Sequence, residues 1–255
     1  LGEAGEPDVE TQAVIAAYDL PGEFPEECVE QAREANASFE SQIAEWKVKG
    51  STALRNRMDL TEDFIITIDP PDAKDYDDAI SIRRTESIEG GGWELGVHIA
   101  DVAHFIPPGT KLDDEAKDRS NSCYLPRRVI PMLPEILSNG ICSLQEGVPR
   151  FCKSSFMTYD SRGVVRGEGV ANTLIRSAKR LTYLEAQALI DGDLNEARRH
   201  AKTPPKYSDQ LLETLQEMNR CARAIQARRD RAGMIVLDLP DVVLIYDDNG
   251  HVVDA

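Results

Sequence analysis

The stretch Thr67-Ile-Asp-Pro-Pro-Asp-Ala-Lys-Asp-Tyr-Asp-Asp-Ala79 carries five carboxylates, Asp69, Asp72, Asp75, Asp77 and Asp78, within ten residues. Apolar, strand-like segments bracket it: Phe64-Ile-Ile-Thr-Ile68 before and Ala79-Ile-Ser-Ile82 after. Pro70-Pro71 bars a helix across the front half, because proline has no N–H to donate and its ring clashes with the preceding turn. Asp69 is therefore expected to end a strand, with a rigid loop following and Asp75 to Asp78 leading into the next strand. Such crowding is unfavourable without a counter-charge. Two carboxylates about 4 Å apart repel by roughly 4 kcal/mol at an effective dielectric of about 20. A hard divalent cation turns that repulsion into attraction, and Mg²⁺ binds oxygen ligands while leaving positions for water and phosphate. In an extended chain Asp75 and Asp77 point one way and Asp78 the other, so convergence requires a twist or bulge at the strand start. From spacing alone, a solvated acidic turn is the alternative. An EF-hand loop is rejected: Asp75, Asp77 and Glu86 sit at its first, third and twelfth positions, but its sixth is Ile80 rather than Gly.

Outward from this run, periodicity lays out the rest. Asp78 to Arg84 and Trp93 to Val102 alternate as strands around a turn at Ser87 to Gly92, and pair as a hairpin with Leu95, Val97 and Ile99 on one face. His98 then falls on the polar, surface side. Asp101 and His104 follow. Leu112 to Arg119 reads as a short amphipathic helix, and Leu133 to Leu144 as a short helix with a turn at Asn139-Gly140. Phe151 to Tyr159 and Val164 to Arg176 are strands joined by Asp160-Ser-Arg-Gly163, a hairpin signal. Thr182-Tyr-Leu-Glu185 is a capping box that opens a helix stopping at Gly192. Leu194 to Lys206 is polar and broken at Pro204-Pro205. Ser208 to Arg231 is the most regular helix, with Leu211, Leu215, Met218, Ala222 and Ile225 as its apolar stripe. Met234 to Tyr246 and His251 to Asp254 read as a last strand pair around Asp247-Asp-Asn-Gly250. Upstream, residues 1 to 8 are expected to be loose, 9 to 18 to form a short helix, and Glu26 to Lys49 a longer one with Trp46 in the core. Strands and helices mix without a β-α-β rhythm, which gives an α+β fold with a mainly antiparallel sheet flanked by helices.

Composition bounds the function. With 41% hydrophobic and 29% charged residues the chain reads as a soluble globular protein. It has no apolar run of about 18 residues that would span a bilayer and no charged-then-apolar leader. Five cysteines, widely spaced and without a C-x-x-C pair, fit reduced thiols in the cytoplasm. The net charge of −16 argues against wide binding of a nucleic-acid backbone by this chain alone. It does not argue against a metal-dependent nuclease, where a cation and a local basic patch meet the phosphate and distant repulsion is screened beyond about 8 Å.

The run Ile68 to Ala79 resembles the signature of the RNB catalytic domain of the ribonuclease II and ribonuclease R family of 3′→5′ exoribonucleases. Further blocks resemble the family in the same order: Gly91 to Val102, Tyr124-Leu-Pro, Ile130 to Leu144 and Arg180-Leu-Thr-Tyr183. The Gly-Gly-Trp and Leu-Ser-Asn-Gly details are more similar to ribonuclease R. The resemblance covers about residues 55 to 255 as the front portion of an RNB domain, with 1 to 54 as a helical lead-in. It implies that Asp69, Asp75, Asp77 and Asp78 are the acidic catalytic and metal-holding positions for Mg²⁺ or Mn²⁺, and that Asp72 is not one. It also implies processive, metal-assisted hydrolysis of single-stranded RNA to nucleoside 5′-monophosphates. Tyr124 becomes a candidate for stacking on the terminal base, with Arg127 and Arg128 beside it for phosphates. The family's glutamate-rich helix, its Ser-Pro-Ile-Arg-Arg segment, and its cold-shock and S1 barrels are expected elsewhere in a longer protein or in a companion chain. A catalytically inactive RNA-binding module of the same fold is the competing reading.

Overall fold

The computed structural model describes residues 7–54, 56–125, 128–237, 239, 245–247 and 252–254. These fall into two compact units. One comprises Leu1–Gln31, Pro108–Pro134 and Ile235–Ala255, the other Ala32–Pro107 and Glu135–Met234.

The larger unit is built on five strands: β1 (Met58–Asp69), β2 (Asp78–Thr85), β3 (Gly92–Ala100), β6 (Pro149–Asp160) and β7 (Val165–Thr182). They close into a barrel in the order β1-β2-β3-β6-β7. Four of the five pairings are antiparallel, and the β1–β7 pairing that closes the barrel is parallel. The fold is thus α+β as expected, with the sheet rolled up rather than open. Asp160 shapes the β6–β7 hairpin by accepting from the N–H groups of Arg162 and Val164. Gly163 at its tip has φ +76°, and a Cβ there would lie 2.5 Å from the backbone of Ala224.

Helices cover the outer wall. Leu181, Ile66 and the flanking Phe64, Ile68 and Ile80 pack under α5 (Tyr183–Asp191), α6 (Leu194–His200) and α7 (Asp209–Arg231). Trp93 and Tyr159, with Ile82, Leu95 and Met157, pack under Cys221, Ala224 and Ile225 of α7. Trp93 Nε1 also donates to Glu217 Oε2 of α7 at 2.8 Å. The capping box holds as read: the Thr182 hydroxyl accepts from Glu185 N–H, and the Glu185 carboxylate accepts from Thr182 N–H. The polar segment after Gly192 is a helix, α6, because Asp193 caps it by accepting from the N–H groups of Asn195 and Glu196.

The inner face corrects one reading. His98 is not on the surface but fully buried, whereas Ile99 is 46% exposed. A barrel strand buries both faces, so alternation does not reveal which face is inner. The inner face carries a polar network. His98 Nε2 meets Ser81 Oγ at 3.0 Å, His98 Nδ1 meets Ser154 Oγ at 2.7 Å, and Ser154 Oγ meets Thr173 Oγ1 at 2.7 Å. Gly96 leaves the space for this network, since a Cβ there would lie 2.5 Å from Ser81 Oγ. Burial pushes the His98 ring down to about 4. The folded state therefore holds the ring neutral while the unfolded chain takes up a proton near its ordinary value of about 6.5, and stability falls as pH drops from there toward 4. We expect His98→Asn to remove about 2 kcal/mol of the stability difference between pH 7 and pH 5, read by urea unfolding at the two pH values. An unchanged difference would show that the ring does not set it.

In the smaller unit, α1 (Pro7–Ala17) begins within the stretch expected to be loose. The helix α2 (Glu26–Lys49) starts there and runs on into the larger unit, with Glu26 and Glu27 in its first turn and Lys47 and Lys49 in its last, favouring its dipole at both ends. Trp46 is half-buried and donates to Asp59 Oδ2. The helix α4 (Lys111–Arg119) is capped by Thr110. Its Arg119 is buried against the Phe24 ring and donates to the Gly22 carbonyl. Two hairpins complete this unit: β4 (Cys123–Leu125) with β5 (Arg128–Ile130), and β8 (Ile245–Tyr246) with β9 (Val252–Asp254). The long final strand expected from Met234 is therefore not formed as read: residues 234–237 are not strand, and 238, 240–244 and the turn residues 248–250 lie outside the described residues.

Candidate active site

The acidic run follows the end of β1. Asp69 is the last residue of that strand, pairs in register with Thr182, and is 7% exposed. Pro70 and Pro71 end the ladder, and residues 70–77 form a loop before Asp78 opens β2 opposite Ile99. Several of the loop's backbone groups are tied to other parts of the chain. Ser143 Oγ donates to Lys74 O at 2.9 Å and accepts from Tyr76 N–H at 3.1 Å. Leu144 N–H donates to Tyr76 O, and Ala100 N–H to Asp77 O. Tyr76 OH donates to the Ala73 carbonyl. The Arg180 guanidinium donates to the carbonyls of Pro70 and Pro71 and lies over the Tyr76 ring.

This anchoring keeps the carboxylates within electrostatic reach of one another. Asp69 is pushed up to about 6, first by burial and then by Asp78 and Asp77, with Thr67 and Arg180 pulling the other way. Asp77 is exposed, yet the surrounding protein withdraws part of its water. That desolvation, with Asp75 and Asp78 behind it, raises its carboxyl as well. Asp69 Oδ2 and the neighbouring Thr67 Oγ1 are buried and lack a hydrogen bond of good geometry, the hydroxyl lying close enough only to favour the charged carboxylate. A buried carboxylate oxygen without a donor is costly, and hard oxygen donors of one sign are the chemistry a divalent cation takes. On both counts Asp69 fits such an ion. Among the described residues no three His, Cys, Asp or Glu side chains are gathered into a ready-made cage. The donors are neighbours in a loop rather than a closed shell. Asp72 is exposed.

The basic and aromatic candidates fall on the β4–β5 hairpin. Tyr124, on β4, is 67% exposed and pairs with Val129, and Arg128 opens β5 as an exposed residue. Both belong to the smaller unit, whereas the aspartates belong to the larger. Arg127 lies outside the described residues. Ser143 and Arg180 were not singled out by the sequence reading as parts of the site. No local signal singles Arg180 out, since its strand also carries Arg166, Arg176 and Lys179.

A barrel closed by a parallel pair, with an acidic loop at the end of its first strand, defines the class. The chain belongs to the RNB-domain family, whose model matches residues 57–255. Within it the similarity is to ribonuclease R. The chain is 40% identical to ribonuclease R of Thermotoga maritima over 100% of its own length and 33% of that protein. It is 36% identical to ribonuclease R of Vibrio cholerae over 97% of its own length and 28% of that protein. Ribonuclease R of Mycoplasma genitalium, solved in complex with double-stranded RNA, superposes with a TM-score of 0.80 at 27% identity, over 98% of this chain and 40% of that one. The chain thus spans about a third of the length of the curated relatives it matches.

Proposed function

We propose that this chain forms the acidic part of the active site of a 3′→5′ exoribonuclease that degrades single-stranded RNA processively to nucleoside 5′-monophosphates. The observation that carries the reading is Asp69, buried with an unpartnered oxygen beside Asp77 and Asp78, which raise its carboxyl. The similarity to ribonuclease R along the whole chain supports the substrate class. Asp69, Asp75, Asp77 and Asp78 would hold Mg²⁺ or Mn²⁺, which supplies Lewis acidity toward phosphate and water when bound. Ser143 and the strand ends fix the aspartates in place before substrate arrives, so little reorganisation is left for the chemical step. The remaining RNB segments and the cold-shock and S1 barrels complete the enzyme, in the same polypeptide or as a companion chain. The five free thiols support a reducing compartment such as the cytoplasm.

The test is incubation of the full-length protein with labelled single-stranded RNA and DNA, in Mg²⁺ and in chelator. Stepwise mononucleotide release from RNA alone, lost in chelator, is expected. RNA binding without turnover would replace this reading with the inactive binding module, and equal attack on DNA would replace it with a general phosphodiesterase.

Tyr124 is assigned to stacking on the terminal base, because an exposed ring on a short hairpin offers a sequence-tolerant face. Tyr124→Ala should weaken RNA binding by about 1–3 kcal/mol while hydrolysis persists. Complete loss of turnover in a folded variant would assign the ring a different role.

A further inference from the structure

Arg180 lies near the end of β7, opposite Thr67 of β1 and two residues short of the Asp69–Thr182 pair. It is 9% exposed. One guanidinium nitrogen donates to the Pro70 and Pro71 carbonyls, at 3.3 Å each. The guanidinium carbon is 4.7 Å from the centroid of the Tyr76 ring. These contacts reach both ends of the acidic loop: the turn just after Asp69, and the residue between Asp75 and Asp77. The Arg180 backbone is fixed separately, its N–H donating to Glu146 Oε2 at 2.9 Å and its carbonyl accepting from Thr203. Its Nε is buried without a hydrogen-bond partner. A guanidinium so placed is a poor way to fill space, since a buried N–H without an acceptor costs free energy. Its value lies in the planar fork, which a flexible ammonium does not reproduce.

We propose that Arg180 is a positioning residue that sets the spacing of the acidic loop by tying the Pro70-Pro71 turn to the Tyr76 ring. This rests on reading Asp69, Asp75, Asp77 and Asp78 as ligands of a divalent cation. A charge effect and a bracing effect have opposite signs here. A positive charge beside the cluster repels a cation and also helps keep Asp69 ionised; at about pH 8, well above the Asp69 value of about 6, only the repulsion is left, so if charge were the whole contribution its removal would tighten cation binding there. Removal of a brace loosens it.

The experiment is Mn²⁺ binding to the metal-free, full-length protein at about pH 8, followed by electron paramagnetic resonance without RNA. It is paired with single-turnover hydrolysis, KM for single-stranded RNA and thermal unfolding. The variants are Arg180→Gln and Arg180→Lys, with Asp78→Asn as control. For Arg180→Gln we expect Mn²⁺ affinity and single-turnover rate to fall about tenfold or more, with KM changed by less than about twofold. Arg180→Lys should fall between Arg180→Gln and the unsubstituted protein. Unchanged or tighter Mn²⁺ binding in a cooperatively unfolding Arg180→Gln overturns the proposal, as does a loss confined to KM. Should Arg180→Gln fail to fold, Arg180→Lys decides, and unchanged Mn²⁺ affinity there overturns it. Asp78→Asn with unchanged Mn²⁺ affinity would instead overturn the reading of the aspartates as ligands, a result distinct from failure of the brace.

Discussion

Asp78→Asn and Asp77→Asn are each expected to abolish most of kcat while leaving RNA affinity in chelator unchanged or higher. Each exchange removes one negative charge and nearly preserves shape. Asp78 stands at the mouth of β2 and acts on both Asp69 and Asp77, so it belongs to the electrostatic centre of the cluster. A solvated turn would lose neither turnover nor binding on this exchange, and a passive RNA-binding surface would have no turnover to lose. In a metal-assisted hydrolase the set loses a charged ligand and the rate falls by orders of magnitude. Less negative charge then faces the phosphates, so binding without metal holds or rises. The paired measurement is the single-turnover rate with Mg²⁺ and equilibrium RNA binding in chelator, at one salt concentration, on the full-length protein. Near-normal turnover in both variants would sink the catalytic assignment of the loop.

The largest effect on stability is expected at Asp101. Its Oδ2 accepts from Arg57 at 2.6 Å, and the side chains are 2% and 8% exposed. Arg57 also lies 4.1 Å from the centre of the Phe151 ring and donates to the Cys152 and Thr173 carbonyls. Lys153, mostly exposed, approaches Asp101 Oδ1 at 3.6 Å, a weaker contact that cannot replace the pair. Asp101→Ala leaves the Arg57 charge buried and uncompensated, which costs about 3–5 kcal/mol. The double variant Arg57→Met/Asp101→Leu should recover most of that loss, since a buried pair is worth little against apolar groups of similar volume. Urea unfolding of the two variants checks both halves of the claim. A loss below about 1 kcal/mol for Asp101→Ala would mean that water reaches Arg57.

Local chemistry carried the sequence reading furthest. Strand ends at Asp69 and Asp78, the Thr182 cap, the helix beginning at Ser208 and the Asp160 hairpin all follow from residues within a few positions of each other, and all are present. What failed needed information from afar. His98 was read as a surface residue because it alternates with the apolar Leu95-Val97-Ile99 stripe, but here Leu95 packs under α7 and His98 is buried in a hydrogen-bonded polar set. Closure of β1 on β7 depends on a parallel pairing for which no short motif speaks. Likewise, the acidic residues of the site were legible from their crowding, whereas Ser143 and Arg180 were not, because each reaches the loop from a distant part of the chain.

The parallel seam between β1 and β7 has a consequence for how the molecule comes into being. Met58 pairs beside Thr173, and Asp69 beside Thr182. A ribosome adding about 5–20 residues per second makes the second partner on the order of ten seconds after the first. Until then the β1 edge stays open, with Ile65 and Ile66 waiting for cover, and pairings this far apart in sequence are slow to form even in a complete chain. Asp69 likewise gains its buried surroundings only when the seam shuts. The nascent chain therefore carries an ordinary, hydrated string of aspartates, and the acidic centre comes into existence as one of the last acts of folding.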